Sequence, residues 1–359
     1  MKKISIITVV YNAVDTIERT IKSVLEQDYE NLEYIIIDGL SNDGTDKVID
    51  KYRSQISNVI REQDDGIYHA MNKGIKIAKG EIIGILNADD WYEEKAISKV
   101  MKAFEDEKKD IVYGKVNLFH DNGEFEKIDK LLPLDSLWYT MAVYHPATFV
   151  KKSVYDKIGL FNTFYKITAD YDFILRCYIE KIKFSYIDEI LVNFSLGGAS
   201  SDSINCAKEH IMVAKKYIKK SPNPQLVEKN LEWRWQGALL NDCVKKNNVK
   251  IISIIEKYFE IPKLDKIIIW GTGAWGKRCI DVFINFDVTV YCLVDSKQDK
   301  QGKYNKNIII KSPEEIIHQN DIPILVAVKD FDNQVSNDII AMGFDKSRFM
   351  MLAEWLAEI

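Results

Sequence analysis

Two adjacent carboxylates, Asp89 and Asp90, close a stretch that reads I-I-G-I-L-N-A-D-D-W from Ile82 to Trp91. An apolar run of strand length stops at Asn87, so the pair falls where the chain leaves a sheet. Neighbouring carboxylates that are partly buried repel each other unless a cation or hydrogen-bond donors compensate. A divalent cation carrying a phosphorylated ligand would do so, because hard cations take oxygen ligands. The same residues also read as a helix start, with Asp90 capping a helix over Glu93 to Phe104 and Asp89 left to solvent.

The elements around the pair decide between these readings. Ile4 to Val10 is a β-branched apolar run ending in Tyr11-Asn12, and Thr16 to Leu25 carries apolar residues at helical spacing. Leu32 to Ile37 repeats the strand and ends in the turn-rich run from Asp38 to Thr45. Val59-Ile60 reads as a third strand, Tyr68 to Ala78 as a helix and Ile82 to Leu86 as a fourth strand. Strands alternating with helices predict a mostly parallel sheet with helices on both faces. Ligands collect at the carboxyl ends of such strands. The polar residues Thr8 to Asn12, Asp38, Glu62 to Gly66, and Asp89 with Asp90 all fall at those ends. That convergence favours a binding site over scattered surface acids.

Five motifs then carry a resemblance: S-I-I-T-V-V-Y-N from Ser5, S-V-L-E-Q from Ser23, I-I-D-G-L-S-N-D-G-T from Ile36, E-Q-D-D-G-I-Y-H-A-M-N-K-G from Glu62 and L-N-A-D-D from Leu86. In this order and spacing they resemble family-2 inverting glycosyltransferases of bacterial surface-polysaccharide type, over residues 1–205. The resemblance implies the GT-A nucleotide-diphospho-sugar transferase fold. It implies that the Thr8, Val10 and Tyr11 backbone and Asp38 hold the base of a nucleotide-diphospho-sugar, UDP-linked, with Asp64 lining the same pocket. Asp89 would lie near the ribose, and Asp90 would bind Mn²⁺ or Mg²⁺. The family's metal motif usually begins with Asp, whereas this chain has Asn87. Turn formation is the other reading of Asp38 and Asp43, and capping that of Asp64 and Asp65.

Past the fourth strand, Ile111 to Phe119 alternates as a strand and Asp121-Asn122-Gly123 reads as a hairpin turn. Trp138 could stack on an acceptor sugar, although such rings more often belong to a core. His145, ahead of Pro146 in an apolar run, is a candidate substrate contact, and reads equally as a buried hydrogen-bonded histidine or a metal ligand. The segment from Thr168 to Arg176 resembles the one carrying the family's general base, with Ala169 in place of the usual Glu and Asp170 in the base position. A carboxylate within reach of the acceptor hydroxyl suits that task. Asp170 could also cap the following helix, and Asp172 is the alternative carboxylate. Ser195 to Ser201, with Gly197 and Gly198, reads as a loop able to close over donor phosphates or as a plain connector.

The whole chain has 359 residues, 47% hydrophobic and 29% charged, with formal net charge −5. This is globular composition with room for two or three domains, and it gives no general attraction for nucleic acid. Five scattered cysteines fit core positions in a reducing compartment. No apolar stretch has the length of a membrane span. These features predict a cytoplasmic protein, with peripheral contact at the inner face of the membrane left open. The expected acceptor is a saccharide or lipid-linked saccharide.

The expected organisation is a GT-A domain over 1–205, a helical connector over 206–262 and a small Rossmann-like α/β domain over 263–359. In the last, Gly271-Thr272-Gly273-Ala274-Trp275-Gly276 follows a strand and opens a helix, and Asp295 lies further on after the next strand. It could bind a nucleotide or be an empty structural module. The rival functions are a nucleotide-dependent oxidoreductase centred on that motif and a non-catalytic sugar-nucleotide scaffold.

Overall fold

A computed structural model describes residues 1–120, 124–128, 131–198, 203–246, 249–328 and 334–358, so the Asp121-Asn122-Gly123 turn and the end of the Ser195 loop lie outside the described residues. The chain divides into two compact units, Met1–Glu228 and Lys229–Ile359.

The first unit opens with β1 (Ile4–Val10), α1 (Ile17–Leu25), β2 (Leu32–Asp38), α2 (Thr45–Lys51), β3 (Asn58–Arg61), α3 (Ile67–Ile77) and β4 (Ile82–Asn87). These are the alternating strands and helices read from the sequence, and β3, β2, β1 and β4 lie side by side in parallel. Every residue of β1 is buried, as expected of a strand covered on both faces. Its side chains alternate between two cores. Ile7 and Val9 face Tyr68, Met71 and Ile75 of α3, while Ile4, Ile6 and Val10 face Ile17 and Ile21 of α1.

The sheet then stops being parallel. Next come β5 (Trp91–Tyr92), α4 (Ala96–Ala103), β6 (Ile111–Phe119), β7 (Phe125–Ile128), β8 (Thr148–Lys151), α5 (Lys152–Ile158), α6 (Ala169–Ile179), β9 (Phe184–Ser195) and α7 (Ser203–Tyr217). β8 pairs antiparallel with both β4 and β6, β9 runs parallel to β6, and β5 pairs antiparallel with β9. The result is a mixed sheet with helices on both faces, the GT-A type of architecture.

Helix α8 (Pro224–Lys245) crosses the division between the units, and α9 (Lys250–Tyr258) follows it. The second unit continues with β10 (Lys266–Trp270), α10 (Ala274–Asn285), β11 (Thr289–Val294), β12 (Tyr304–Asn305), β13 (Ile308–Lys311), β14 (Ile324–Val326), α11 (Gln334–Ala341), β15 (Phe349–Met351) and α12 (Leu352–Ala357). Its sheet runs β12-β13-β11-β10-β14-β15, parallel except for the β12–β13 pair. This is a Rossmann-like arrangement, and the glycine motif sits between β10 and α10 as expected. A side chain at Gly276 would collide with the Gly271 carbonyl oxygen, so only glycine lets the helix approach the loop this closely.

Among the described residues, no helix is long and apolar enough to cross a membrane.

Candidate functional site

A cavity of about 900 Å³ opens at the carboxyl ends of β1, β2, β3 and β4. Its wall takes Val10 at the end of β1 and Tyr11 after it, Gly39 after β2, Asp64 after β3, and Asn87 at the end of β4 with Asp89 after it. The loops after β1 and β2 are tied to each other. Asn12 N–H donates to Ser41 Oγ (2.8 Å), Ala13 N–H to Thr45 Oγ1 (2.9 Å) and Asn42 N–H to Asn12 Oδ1 (2.9 Å). Asn12 and Leu40 hold positive φ angles of 50° and 66°, a strained backbone that these bonds help to maintain.

The expected nucleotide-binding residues divide into a wall and a backing. Tyr11 is 64% exposed and Asp64 lines the cavity with a side chain only 8% exposed. A side chain at Gly39 would stand 3.4 Å from Asp64 Oδ2 and 3.5 Å from the Tyr11 ring, so the three meet at one end. Lys73 Nζ lies 2.7 Å from Asp64 Oδ1, whereas the buried Oδ2 has no hydrogen-bond partner among the described residues. Such an acceptor is costly to leave unpaired and suits a ligand N–H. Thr8 and Asp38 stand behind the wall. Thr8 is fully buried and accepts from the Tyr34 hydroxyl (3.1 Å). Asp38 Oδ1 accepts from Ser41 N–H (2.9 Å), and Arg61 Nε lies 3.2 Å from Oδ2, so this side chain shapes the loop. Asp43 likewise holds a turn, since the Thr45 hydroxyl donates to it (2.6 Å) and keeps its carboxyl below the usual range.

At the other end, Asn87 Nδ2 donates to Asp90 Oδ2 (3.2 Å), and Ser195 N–H donates to Asp90 Oδ1 (2.9 Å). Asp90 is 1% exposed and lies behind Asp89, which borders the cavity. Burial, and then the adjacent Asp89 charge, push the Asp90 carboxyl well above the usual carboxylate range, against the pull of the Ser195 N–H, Asn87 and Arg19. Arg19 Cζ sits 3.5 Å over the Trp91 ring and the guanidinium donates to Asp89 O (3.0 Å), which fixes the bend after β4. Asn87 Oδ1 is buried at the cavity wall with no hydrogen-bond partner among the described residues. Two carboxylates and an orphaned amide oxygen are the hard oxygen donors that Mg²⁺ or Mn²⁺ takes, so the residues fit such a cation. Among the described residues there is no set of three His, Cys, Asp or Glu side chains assembled around one point. A cation here would therefore draw further oxygens from water and phosphate, as Mg²⁺ usually does.

A second cluster forms around the start of α6. Asp170 Oδ1 accepts from the Tyr68 hydroxyl (2.9 Å) and from Tyr171 N–H (2.9 Å). The approach to α6 is pinned by Glu209 of α7, which accepts from the N–H groups of Lys166, Ile167 and Thr168 at 2.9, 2.8 and 3.0 Å. His145 is half-buried, edge-on to Phe161 at 5.6 Å between ring centroids. Burial holds its imidazole below the ordinary histidine value, while the charge of nearby Asp170 acts the other way. Neither His145 nor Asp170 lines the cavity, but Ile67 and Ala70, on the same helix as Tyr68, do. Asp172 is fully buried and engaged by Arg176 Nε (2.8 Å), Lys216 Nζ (3.3 Å) and the Tyr217 hydroxyl (3.1 Å), so its oxygens serve the packing of α6 on α7. Trp138 packs edge-on against Tyr178 at 5.9 Å and belongs to the rim of the core.

Residues 5–167 match the family model "Glycosyl transferase family 2". The first unit carries a glycosyl transferase family 2 domain. The chain is 28% identical over 228 residues to a "PGL/p-HBAD biosynthesis glycosyltransferase" of Mycobacterium bovis, covering 61% of this chain and 83% of that one. Among solved structures, "Crystal structure of S. aureus TarS 1-349 in complex with UDP-GlcNAc" matches with TM-score 0.51 and 18% identity over 72% of this chain and 85% of that one. The chain spans 49% of the longer TarS structure. The mannosyltransferase PcManGT from Pyrobaculum calidifontis in complex with GDP-Man and Mn²⁺ matches with TM-score 0.53 and 18% identity, over 68% of this chain and 75% of that one. Residues 263–350 match the model "C2185-like, N-terminal".

In the glycosyltransferase domain, sequence reasoning overlooked Tyr68 as a partner of Asp170. Its position on the buried stripe of α3 reads as core, and it is core over its ring. Only a tyrosine among aliphatic stripe residues hints at a buried hydroxyl that needs a partner. Arg19 and the Ser195 N–H were equally silent, because their contacts to Asp89 and Asp90 join residues far apart in the chain.

Proposed function

We propose that this chain transfers a sugar, with inversion, from a UDP-linked nucleotide-diphospho-sugar to a saccharide or lipid-linked acceptor in surface-polysaccharide assembly. The observation that carries the reading is the pairing, across one cavity, of Asp64 Oδ2, without a hydrogen-bond partner among the described residues and beside the exposed Tyr11 ring, with the oxygens of Asn87 and Asp89 backed by Asp90. The Tyr11 ring stacks on the base, and Asp64 accepts from the uracil imide N–H. Val10 contributes apolar wall, while Thr8 and Asp38 hold the base-binding loops from behind. Asp89 takes the ribose side. Asp90, with the Asn87 amide oxygen beside it, would hold Mn²⁺ or Mg²⁺, which when bound supplies positive charge for the leaving diphosphate.

Asp170 accepts the proton of the acceptor hydroxyl as that oxygen attacks the anomeric carbon, and a single in-line displacement inverts the centre. His145, kept neutral by burial, hydrogen-bonds the acceptor beside Asp170. Hexosyl and N-acetylhexosaminyl donors both fall within the reading. The chain works as a transferase domain over 1–205, a helical connector over 206–262 and a Rossmann-like accessory domain over 263–359, in the cytoplasm and at the inner face of the membrane. Thermal unfolding with UDP tests this: UDP raises Tm, and Mn²⁺ enlarges the rise through linked binding. Absence of any rise with UDP in both Mn²⁺ and Mg²⁺ would sink the reading.

A further inference from the structure

Tyr68 stands on α3, whose first turn contributes Ile67 and Ala70 to the cavity wall, yet its hydroxyl is turned towards the cluster at α6. The residue is 6% exposed, and its ring packs on Phe161 at 5.6 Å between centroids. Its oxygen lies 2.9 Å from Asp170 Oδ1 and 2.7 Å from Ile167 O. One phenolic proton thus has two acceptors. Oδ1 also receives the Tyr171 N–H at 2.9 Å, while among the described residues no hydrogen bond reaches Oδ2.

We propose that Tyr68 is the positioning residue for the catalytic carboxylate: with the Tyr171 N–H it fixes Asp170 Oδ1, so that Oδ2 alone is left to take the acceptor's proton. This rests on the assignment of Asp170 as base. In the transfer, the acceptor oxygen bonds to the anomeric carbon. The bond from that carbon to the diphosphate oxygen breaks with its electron pair going to the diphosphate. The acceptor's proton passes to Oδ2. Once Asp170 is neutral, the Tyr68 proton can turn wholly to Ile167 O, so the hydroxyl is paired in both charge states of the carboxyl. A water molecule in its place would have to reorganise during the step; a side chain anchored in the core does not. The other titratable groups facing this corner are His145, from the turn before β8, and Glu209 of α7. Asp172 is turned away to Arg176 and Lys216.

The test compares wild type, Tyr68→Phe and Asp170→Asn, with UDP-glucose and UDP-N-acetylglucosamine as donors, water as acceptor and UDP release as the readout. Tyr68→Phe keeps the ring packing and removes only the donor. It should leave the donor KM unchanged and lower kcat by about tenfold. It should also move the acid limb of the rate profile to higher pH, because a lost donor disfavours the carboxylate. Replacing the ring by 3-fluorotyrosine, a stronger donor of the same shape, should move that limb to lower pH, and this arm decides if the phenylalanine variant fails to fold. Wild-type kcat and acid limb in Tyr68→Phe, with Asp170→Asn inactive, would overturn the positioning role alone. Full activity of Asp170→Asn would overturn the base assignment beneath it. If no variant releases UDP, crystal structures decide: an Asp170 carboxylate that leaves the Tyr171 N–H in Tyr68→Phe supports the role, and an unmoved one overturns it.

Discussion

The two units each place a cavity at the carboxyl ends of parallel strands, and the two cavities treat their acidic residues in opposite ways. In the first unit, Asp64 Oδ2 and Asn87 Oδ1 are buried and have no hydrogen-bond partner among the described residues. In the second, a cavity of about 360 Å³ borders the Gly271 to Trp275 loop, and its acid, Asp295, is satisfied from within. The Thr272 hydroxyl and Lys300 Nζ both donate to Asp295 Oδ2, and Lys297 N–H donates to Oδ1 at 3.0 Å. Burial alone would raise the Asp295 carboxyl, yet Lys300 and Thr272 hold it below the ordinary value. An orphaned buried acceptor costs stability and persists where a ligand completes it. A self-satisfied acid has already spent its capacity on the fold. The glycine motif of the second unit therefore has the right backbone for a nucleotide, while the first unit holds the unpaired chemistry.

Four changes would break or sharpen this contrast. The largest effect is expected from Asp170→Asn, which should reduce UDP release by roughly 10³-fold with UDP binding intact, as befits a lost general base. Asp64→Ala should weaken UDP binding by roughly 10- to 100-fold in a calorimetric titration, since it removes the acceptor for the base. Tyr11→Ala should weaken the same binding by roughly 3- to 10-fold through lost stacking. The smallest effect belongs to the second unit: Lys300→Ala should leave UDP affinity unchanged. Its signature is in stability against pH. With the Asp295 carboxyl held low in the folded state, the stabilisation it brings is present above its unfolded value of about 3.9 and fades as pH falls through the folded one. Lys300→Ala should flatten that fall, followed as the Tm of the second unit's transition between about pH 5 and pH 3. A loss of UDP affinity in Lys300→Ala would erase the distinction between the two cavities.

Much of this was legible in the chain itself. The parallel half of the first sheet is written in local patterns, because each buried strand and its helix occupy one contiguous segment. The convergence of Tyr11, Asp64 and Asp89 on one sheet edge followed from that alone. Of the antiparallel half only the β6–β7 pair was legible, from local alternation ahead of a turn; β8 inserts between β4 and β6, and such pairing depends on contacts remote in sequence. The same limit hid Tyr68 beside Asp170 and Ser195 beside Asp90. It also left Asp38 and Asp64 looking alike, each an acid after a strand. Only the fold separates them, turning one to Ser41 and Arg61 and the other into the cavity.

If Asp64 Oδ2 accepts from the imide N–H of a uracil, as proposed, binding must distinguish uracil from cytosine, which differ at that very atom. Titration of the protein with UDP and with CDP, both in Mn²⁺, tests it most directly. A donor at the ring nitrogen of uracil faces an acceptor in Asp64, whereas cytosine would set acceptor against acceptor. UDP should bind at least roughly tenfold more tightly than CDP, and Asp64→Ala should abolish the preference. Equal binding of UDP and CDP by the unaltered protein would contradict the account.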